Sequence, residues 1–124
     1  MQYAKWFFDS MLSDINEYGS NARGSYLKLS SGVVIEWNTI YNVSSQTLGQ
    51  AYLDTYLPLP LANDSGTFGI ATFYDSFRGH GSGSIPNLAD ITNINYDSFT
   101  LMLTINNTYD TGNMVRWIII GRWK

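Results

Sequence analysis

A chain of 124 residues, 44% hydrophobic and only 14% charged, can bury one core with an appendage and is too apolar for a disordered tail. Its net charge is −3 and its seven Lys and Arg residues are scattered, so no basic stripe exists to follow a phosphate backbone and nucleic-acid binding is not expected. The absence of cysteine excludes disulfide staples and thiolate zinc sites, and no apolar run approaches the roughly 18 residues of a membrane span, so no membrane insertion is expected.

Ala4, Phe8, Met11, Ile15 and Tyr18 recur at the alternating four-then-three spacing of a heptad seam, while Asp9, Asp14 and Glu17 fall mostly off it. The spacing predicts an amphipathic, coiled-coil-like helix that packs either on its own domain or along the axis of a parallel stalk. Such a helix needs a larger neighbour, since isolated helices below about 12–15 residues barely hold in water. Gly19 to Gly24 interrupts the pattern and supplies a hinge. The chain therefore divides into a helix and hinge, residues 1–23, and a β domain, residues 24–124.

Beyond the hinge the signals are those of strands and turns. Ser30-Ser31-Gly32 separates Tyr26–Leu29 from Val33–Tyr41, a hairpin in which Val33, Ile35, Trp37 and Thr39 share one face and Val34, Glu36 and Asn38 the other. After the polar stretch 42–50, Ala51–Leu57 forms a strand that stops at Pro58 and Pro60, whose missing N–H groups break a ladder. Asn63 to Gly66 reads as a turn, and Thr67–Asp75 as a strand with Phe68, Ile70, Thr72 and Tyr74 against Gly69, Ala71 and Phe73. Residues 76–86, rich in Gly and Ser, read as a loop. Ile91–Asn95 is a short strand, and Ser98–Asn106 alternates with Phe99, Leu101, Leu103 and Ile105 inward. A polar turn, 107–113, leads to the last strand, which is apolar on both alternations: Met114, Ile118 and Ile120 on one, Val115, Trp117 and Ile119 on the other. Strands of that kind lie in the middle of something, here a compact sandwich or a contact with another copy. About six or seven such strands predict a mainly β chain, a small antiparallel β-sandwich.

His80 is the only histidine. No nucleophile motif frames it, and a glycine-flanked loop is a poor support for a Ser-His-Asp relay, so it is not read as catalytic. One imidazole per chain makes no metal site; only three copies of His80 meeting on a threefold axis would supply a ligand set, and no cofactor is expected. The acidic residues stand singly, without the paired carboxylates of glycoside hydrolysis, and no enzyme activity is expected. Glu36, mid-strand between Val34 and Trp37, is read as a structural partner for Arg116 across a sheet. What remains is a recognition surface. Tyr74, Asp75, Phe77, Arg78 and His80, joined by Asn107, Tyr109 and Asp110 in the last turn, put aromatic faces beside hydrogen-bonding groups, the mixture that holds sugars.

The order Gly24-x-Tyr26-x-Lys28-Leu29-x-x-Gly32-Val33-Val34-Ile35-x-Trp37, then Pro58-Leu59-Pro60-Leu61, then Val115-Arg116-Trp117-Ile118-Ile119-Ile120-Gly121, resembles the C-terminal receptor-binding tip domain of bacteriophage tail-fibre proteins. In that family an opening G-x-x-K-L-x-x-G-x-x-I-x-W and a closing W-I-A-I-G bracket a small β-sandwich. The match runs from about Gly24 to Lys124. Ile119 stands where the family often has a small residue, and the loop 76–86 is long.

The resemblance implies a homotrimeric head at the distal end of a virion's tail fibre. Such a head acts outside the host cell and recognises a glycan or outer-surface protein of a bacterium, and the rest of the fibre lies upstream. It carries over fold and role but no binding residue. Three heads on one axis would gain avidity without new contacts, with Phe8, Met11, Ile15, Tyr18, Met114, Ile118 and Ile120 as the trimerisation set. The alternatives are a structural module that registers and caps three fibre chains without binding a receptor and, behind it, a surface-polysaccharide hydrolase.

Overall fold

The computed structural model describes residues 2–41, 43, 48–74, 87–106 and 114–124, and of residues 2, 3, 7, 8, 11, 64 and 65 the backbone alone. A helix, α1 (Gln2–Ser13), precedes the strands β1 (Ile15–Asn21), β2 (Gly24–Leu29), β3 (Val33–Tyr41), β4 (Gly49–Tyr56), β5 (Asn63–Tyr74), β6 (Leu88–Thr92), β7 (Ser98–Ile105) and β8 (Met114–Arg122). They form two antiparallel sheets, one of five strands in the order β1-β2-β3-β8-β5 and one of three in the order β4-β7-β6. No helix among the described residues is long and apolar enough to cross a membrane.

The sheets pack face to face. Val34, Val115, Trp117 and Ile119 from the larger sheet meet Phe99, Leu101, Leu103 and Ile105 from the smaller, all buried. The Phe99 and Trp117 rings meet edge to face, with centroids 4.8 Å apart, a favoured aromatic geometry. The inward alternation of β7 is the one its sequence predicts. β8 is hydrogen-bonded on both sides, to β3 and to β5, which accounts for its apolar character.

Three elements differ from expectation, the first being β6, which runs Leu88–Thr92 and stops before Asn93, at φ +50°, where Ile91–Asn95 is expected. α1 ends at Ser13, and Ile15–Asn21, read as the last turn of the helix and the hinge, is a strand paired with β2 from Ile15–Leu29 to Asn21–Gly24. Ile15 and Tyr18 therefore sit on a strand, because tertiary pairing overrides a heptad spacing too short to stand alone. Asn63 to Gly66 is not a free turn. It begins β5 and carries a shift of register between Asn63 and Phe68.

The opening and closing motifs pair directly, from Val34–Gly121 to Trp37–Ile118, and Trp123, just beyond the closing one, reinforces the contact. The Trp123 indole N–H donates to Leu29 O at 2.8 Å, and the Trp123 backbone N–H donates to Gly32 O at 2.9 Å. The Lys28 ammonium lies 4.7 Å from the centre of the Trp123 ring. Gly32 has φ +100°, and a Cβ there would stand 2.6 Å from the Arg122 guanidinium. Gly24, at φ +138°, leaves no room for a Cβ against Trp37 O, 2.5 Å away. These contacts form a clasp that pins Trp123 to the β2–β3 hairpin.

The Pro58-Leu59-Pro60-Leu61 run crosses from β4 to β5 with every available N–H occupied. Leu57 N–H donates to Asp97 O at 2.9 Å, Leu61 N–H to Tyr96 O at 2.6 Å, and Leu59 N–H to Glu36 Oε1 at 2.7 Å. Buried backbone donors away from a ladder need such partners. Glu36 is fully buried and supplies one. The expected pairing of Glu36 with Arg116 does not form. Glu36 lies opposite Ile119 on the inner face, whereas Arg116 lies opposite Thr39 and is exposed.

Candidate functional site

Three surfaces follow from this frame: one end of the sandwich and the outward faces of its two sheets. At the end, Tyr41, Met114 and Tyr74 lie in register across β3, β8 and β5. Asn87, which is buried, accepts the Asn106 N–H on its side-chain oxygen at 2.7 Å. That bond ties the residue following segment 75–86 to the residue preceding segment 107–113. The residues that flank both segments, Tyr74, Asn87, Asn106 and Met114, thus lie at one end of the molecule.

Of the predicted recognition residues Tyr74 is described, and it is half exposed at the end of β5. Asp75, Phe77, Arg78, His80, Asn107, Tyr109 and Asp110 lie outside the described residues. Among the described residues, no group of three or more His, Cys, Asp or Glu is placed to hold a metal ion.

The outward face of the five-stranded sheet gathers much of the predicted trimerisation set. Residues directly opposite on neighbouring strands share a face. One row runs Tyr18, Leu27, Ile35, Ile120, Phe68, apolar or aromatic across all five strands. The next runs Ser20, Ser25, Trp37, Ile118, Ile70. Phe68 is 51% exposed and Ile70 53%, so the face is open on the single chain. The Tyr18 and Trp37 rings meet on it, with centroids 6.2 Å apart. Met114 joins it beside Tyr41 and Tyr74, and Ile15 lies opposite Leu29 beyond a bulge. The side chains of Phe8 and Met11 lie outside the described residues.

The outward face of the three-stranded sheet is different. Its rows are Gln50–Thr104–Leu88, Tyr52–Met102–Asp90 and Asp54–Thr100–Thr92. The Tyr52 hydroxyl donates to Gln50 Oε1 at 3.2 Å, and the Thr100 hydroxyl donates to Asp54 Oδ1 at 3.2 Å. Asp90 Oδ1 accepts the Ile91 N–H at 2.8 Å. An open concavity of about 410 Å³ is lined by Leu88, Ala89, Asp90, Met102 and Thr104, and Tyr52 stands opposite its Met102 on the neighbouring strand. At the far end of β4 the Arg23 guanidinium sits 5.1 Å from the centre of the Tyr56 ring. The sequence reading passed over these residues. The available signal was the alternation Gln50, Tyr52, Asp54, Tyr56, a polar and aromatic face within one strand.

Glu36 is the one described group whose acidity is clearly displaced. Burial pushes its carboxyl up from 4.5 to about 7, against the opposing pull of the Leu59 N–H, and its second oxygen has no partner. The Trp117 indole N–H is likewise buried without a partner. Fully buried, Glu36 meets no open surface, and its role is to hold the proline-rich crossing.

No family model matches the sequence and no curated protein matches it. Solved structures match the fold. An N-truncated R1-type pyocin tail fibre superposes with a TM-score of 0.63 at 12% identity, over 93% of this chain and 93% of that one. The C-terminal part of the P. aeruginosa R1 pyocin fibre gives 0.62 at 13% identity, over 82% of this chain, which spans 27% of that longer fibre. The corresponding P. aeruginosa R2 fibre gives 0.57 at 13%, over 91% of this chain and 28% of its own. At such identities the likeness is one of fold. The chain has the mainly antiparallel β fold found in the C-terminal region of pyocin tail fibres.

Proposed function

We propose that this chain is the receptor-binding head of a tail fibre on a phage or phage-like particle, acting outside the cell on a bacterial surface glycan or outer-surface protein. The observation that carries the reading is the fold shared with pyocin tail fibres over 93% of this chain. Fold alone does not fix function, so the faces must supply the rest. The outward face of the five-stranded sheet supports a homotrimer. Contiguous apolar patches beyond a few hundred Å² are rare on monomers and mark contact surfaces. Two further copies of this chain are the occupants we assign to it, with Ile118, Ile120 and Phe68 towards the axis. The end marked by Tyr74, Asn87, Asn106 and Met114 then stands free to meet a receptor.

The test is to label bacterial cells with the fluorescent protein and to measure its mass in solution. Saturable labelling by a species of three times the chain mass is the expected result. A chain that stays monomeric at micromolar concentration removes the trimer. A trimer that labels no cells among a broad bacterial panel favours the rival reading, a module that registers and caps fibre chains. Phe77→Ala and Tyr109→Ala ask whether the end loops contribute; undiminished labelling by both clears those loops of the role.

A further inference from the structure

We infer that the outward face of the three-stranded sheet is a saccharide-binding site centred on Tyr52 and Asp90, and that its ligand is a neutral, hydroxyl-rich oligosaccharide. The inference rests on the reading of the chain as a surface-recognising head and locates one of its contacts on rigid strands. Sites built on strands hold their geometry better than sites on loops.

The chemistry is arranged in one row. The Tyr52 ring, 64% exposed, stands opposite Met102, which stands opposite Asp90. The adjoining concavity of about 410 Å³ has Leu88 and Met102 as apolar surface and Thr104 and Asp90 as hydrogen-bonding groups. That volume falls in the range of roughly 300–1,000 Å³ typical of small-ligand sites. A sugar ring offers an apolar C–H face and a rim of hydroxyl donors. The tyrosine and the methionine suit the first, and carboxylates, which accept but do not donate, suit the second.

The groups are held in place before any ligand arrives. Asp90 is oriented by the Ile91 N–H, Asp54 by the Thr100 hydroxyl and Tyr52 by Gln50. In each carboxylate the second oxygen is taken by no described group, which leaves an acceptor for a hydroxyl. Preorganisation of this kind lowers the ordering cost of binding.

Charge selects among saccharides. Asp54 and Asp90 make the centre of the face anionic, and among the described residues the cation on this side, Arg23, is engaged with Tyr56 at the far end of β4. Tyr52 and Tyr56 are four residues apart on one strand, roughly 13–14 Å, so the cation stands away from the concavity. Uronate- or phosphate-bearing sugars are therefore repelled at the centre. A protein partner fits less well. Stable protein interfaces bury about 800 Å² per partner around an apolar centre depleted in charge, whereas each row here carries a polar or charged group at or beside its middle. Because the two sheets pack face to face, this surface points away from the face assigned to the trimer axis, and three copies would be presented outward together.

The test is an array of neutral oligosaccharides, built of hexoses and N-acetylhexosamines, beside uronate- and phosphate-bearing ones, probed with the intact chain and its variants. The expected result is binding to neutral members, with loss of at least about tenfold on Tyr52→Ala and on Asp90→Ala, the scale of one lost anchor. Tyr52→Phe keeps the ring and retains binding, which separates stacking from any change in folding. Undiminished binding by both Tyr52→Ala and Asp90→Ala, with unchanged melting temperatures, overturns the site. So does preference for acidic members. Cell labelling by the intact chain without any neutral-sugar binding overturns the site and leaves the head reading standing. Tyr52-dependent sugar binding without labelling of any cell does the reverse.

Discussion

Ile118 and Tyr52 both point away from the core, one from each sheet, and their neighbours differ in kind. Around Ile118 the rows are Ile35–Ile120–Phe68 and Trp37–Ile118–Ile70, and charge enters only in the flanking rows at Arg116 and Arg122. Around Tyr52 a carboxylate, hydroxyl or amide stands in every row. The inner faces of both sheets supply the buried apolar core, with Glu36 as the charged exception, and account for the fold. The outer faces are therefore free to be specified by what each meets: an apolar sheet face lowers its free energy by leaving water, while a polar and aromatic one keeps its solvation and gains by exchanging water for hydroxyls.

The largest expected effect comes from placing a charge on the first face. Ile118→Asp should convert the proposed trimer to monomer in sedimentation, raising its dissociation constant more than about a hundredfold, since an unpaired charge buried at an interface costs roughly 3–5 kcal/mol. Ile118 lies outside the buried core, so the far-UV spectrum should be kept. A variant that remains trimeric takes this face out of the assembly and erases the proposed contrast between the two sheets.

Glu36 reports on what lies between the faces. Its carboxyl is raised from 4.5 to about 7 by burial, so the folded state holds the proton more tightly than the unfolded chain. The stability linked to that proton is full below pH 4.5 and is lost as pH rises through about 7. The loss is on the order of 3 kcal/mol for a shift of this size. Denaturant unfolding at pH 5 and pH 8 should show that decline in the native chain and a flat profile over this window in Glu36→Gln, whose neutral oxygen still accepts the Leu59 N–H. An equal decline in both would assign the pH dependence to other groups and leave the core indifferent to Glu36.

The contrast between the faces was only partly legible in the sequence. Period-two alternation placed β3, β4, β5, β7 and β8 within a few residues, and it picked the inner face of β7, where Phe99 to Ile105 are apolar and their neighbours are mostly polar. On β3 and β5 the alternation does not say which face is inside. The larger apolar set, Ile35 and Trp37 on β3, Phe68 and Ile70 on β5, lies outward. Val34 and Glu36 turn inward because Glu36 serves a backbone N–H 23 residues away, a contact no local pattern announces. Gly69 turns inward because Ile119 and Ile91 fill the place of its missing Cβ, with methyl carbons 2.5 and 2.8 Å from it. The helix was overextended for a related reason: the pairing of Tyr18 with Leu27 lies outside any heptad count. Of the recognition cluster, Tyr74 could be placed from its strand, while Tyr52 was missed because a tyrosine in a short strand reads as β propensity until its row partners Met102 and Asp90 are known.

The smallest expected effect is the mirror of the first. Tyr52→Ser acts at an exposed position of β4, where the side chain makes one hydroxyl contact, to Gln50. Its cost is confined to strand propensity and partial packing on Met102, together under about 1 kcal/mol. Calorimetry should therefore find a melting temperature close to that of the native chain, and sedimentation an unchanged assembly. The comparison with Ile118→Asp is the informative part, since both changes make an outward residue more polar. If Tyr52→Ser dissociates the assembly and Ile118→Asp does not, the roles of the two faces are exchanged: the three-stranded sheet then carries the contact between copies, and the apolar rows around Ile118 must meet a partner other than this chain.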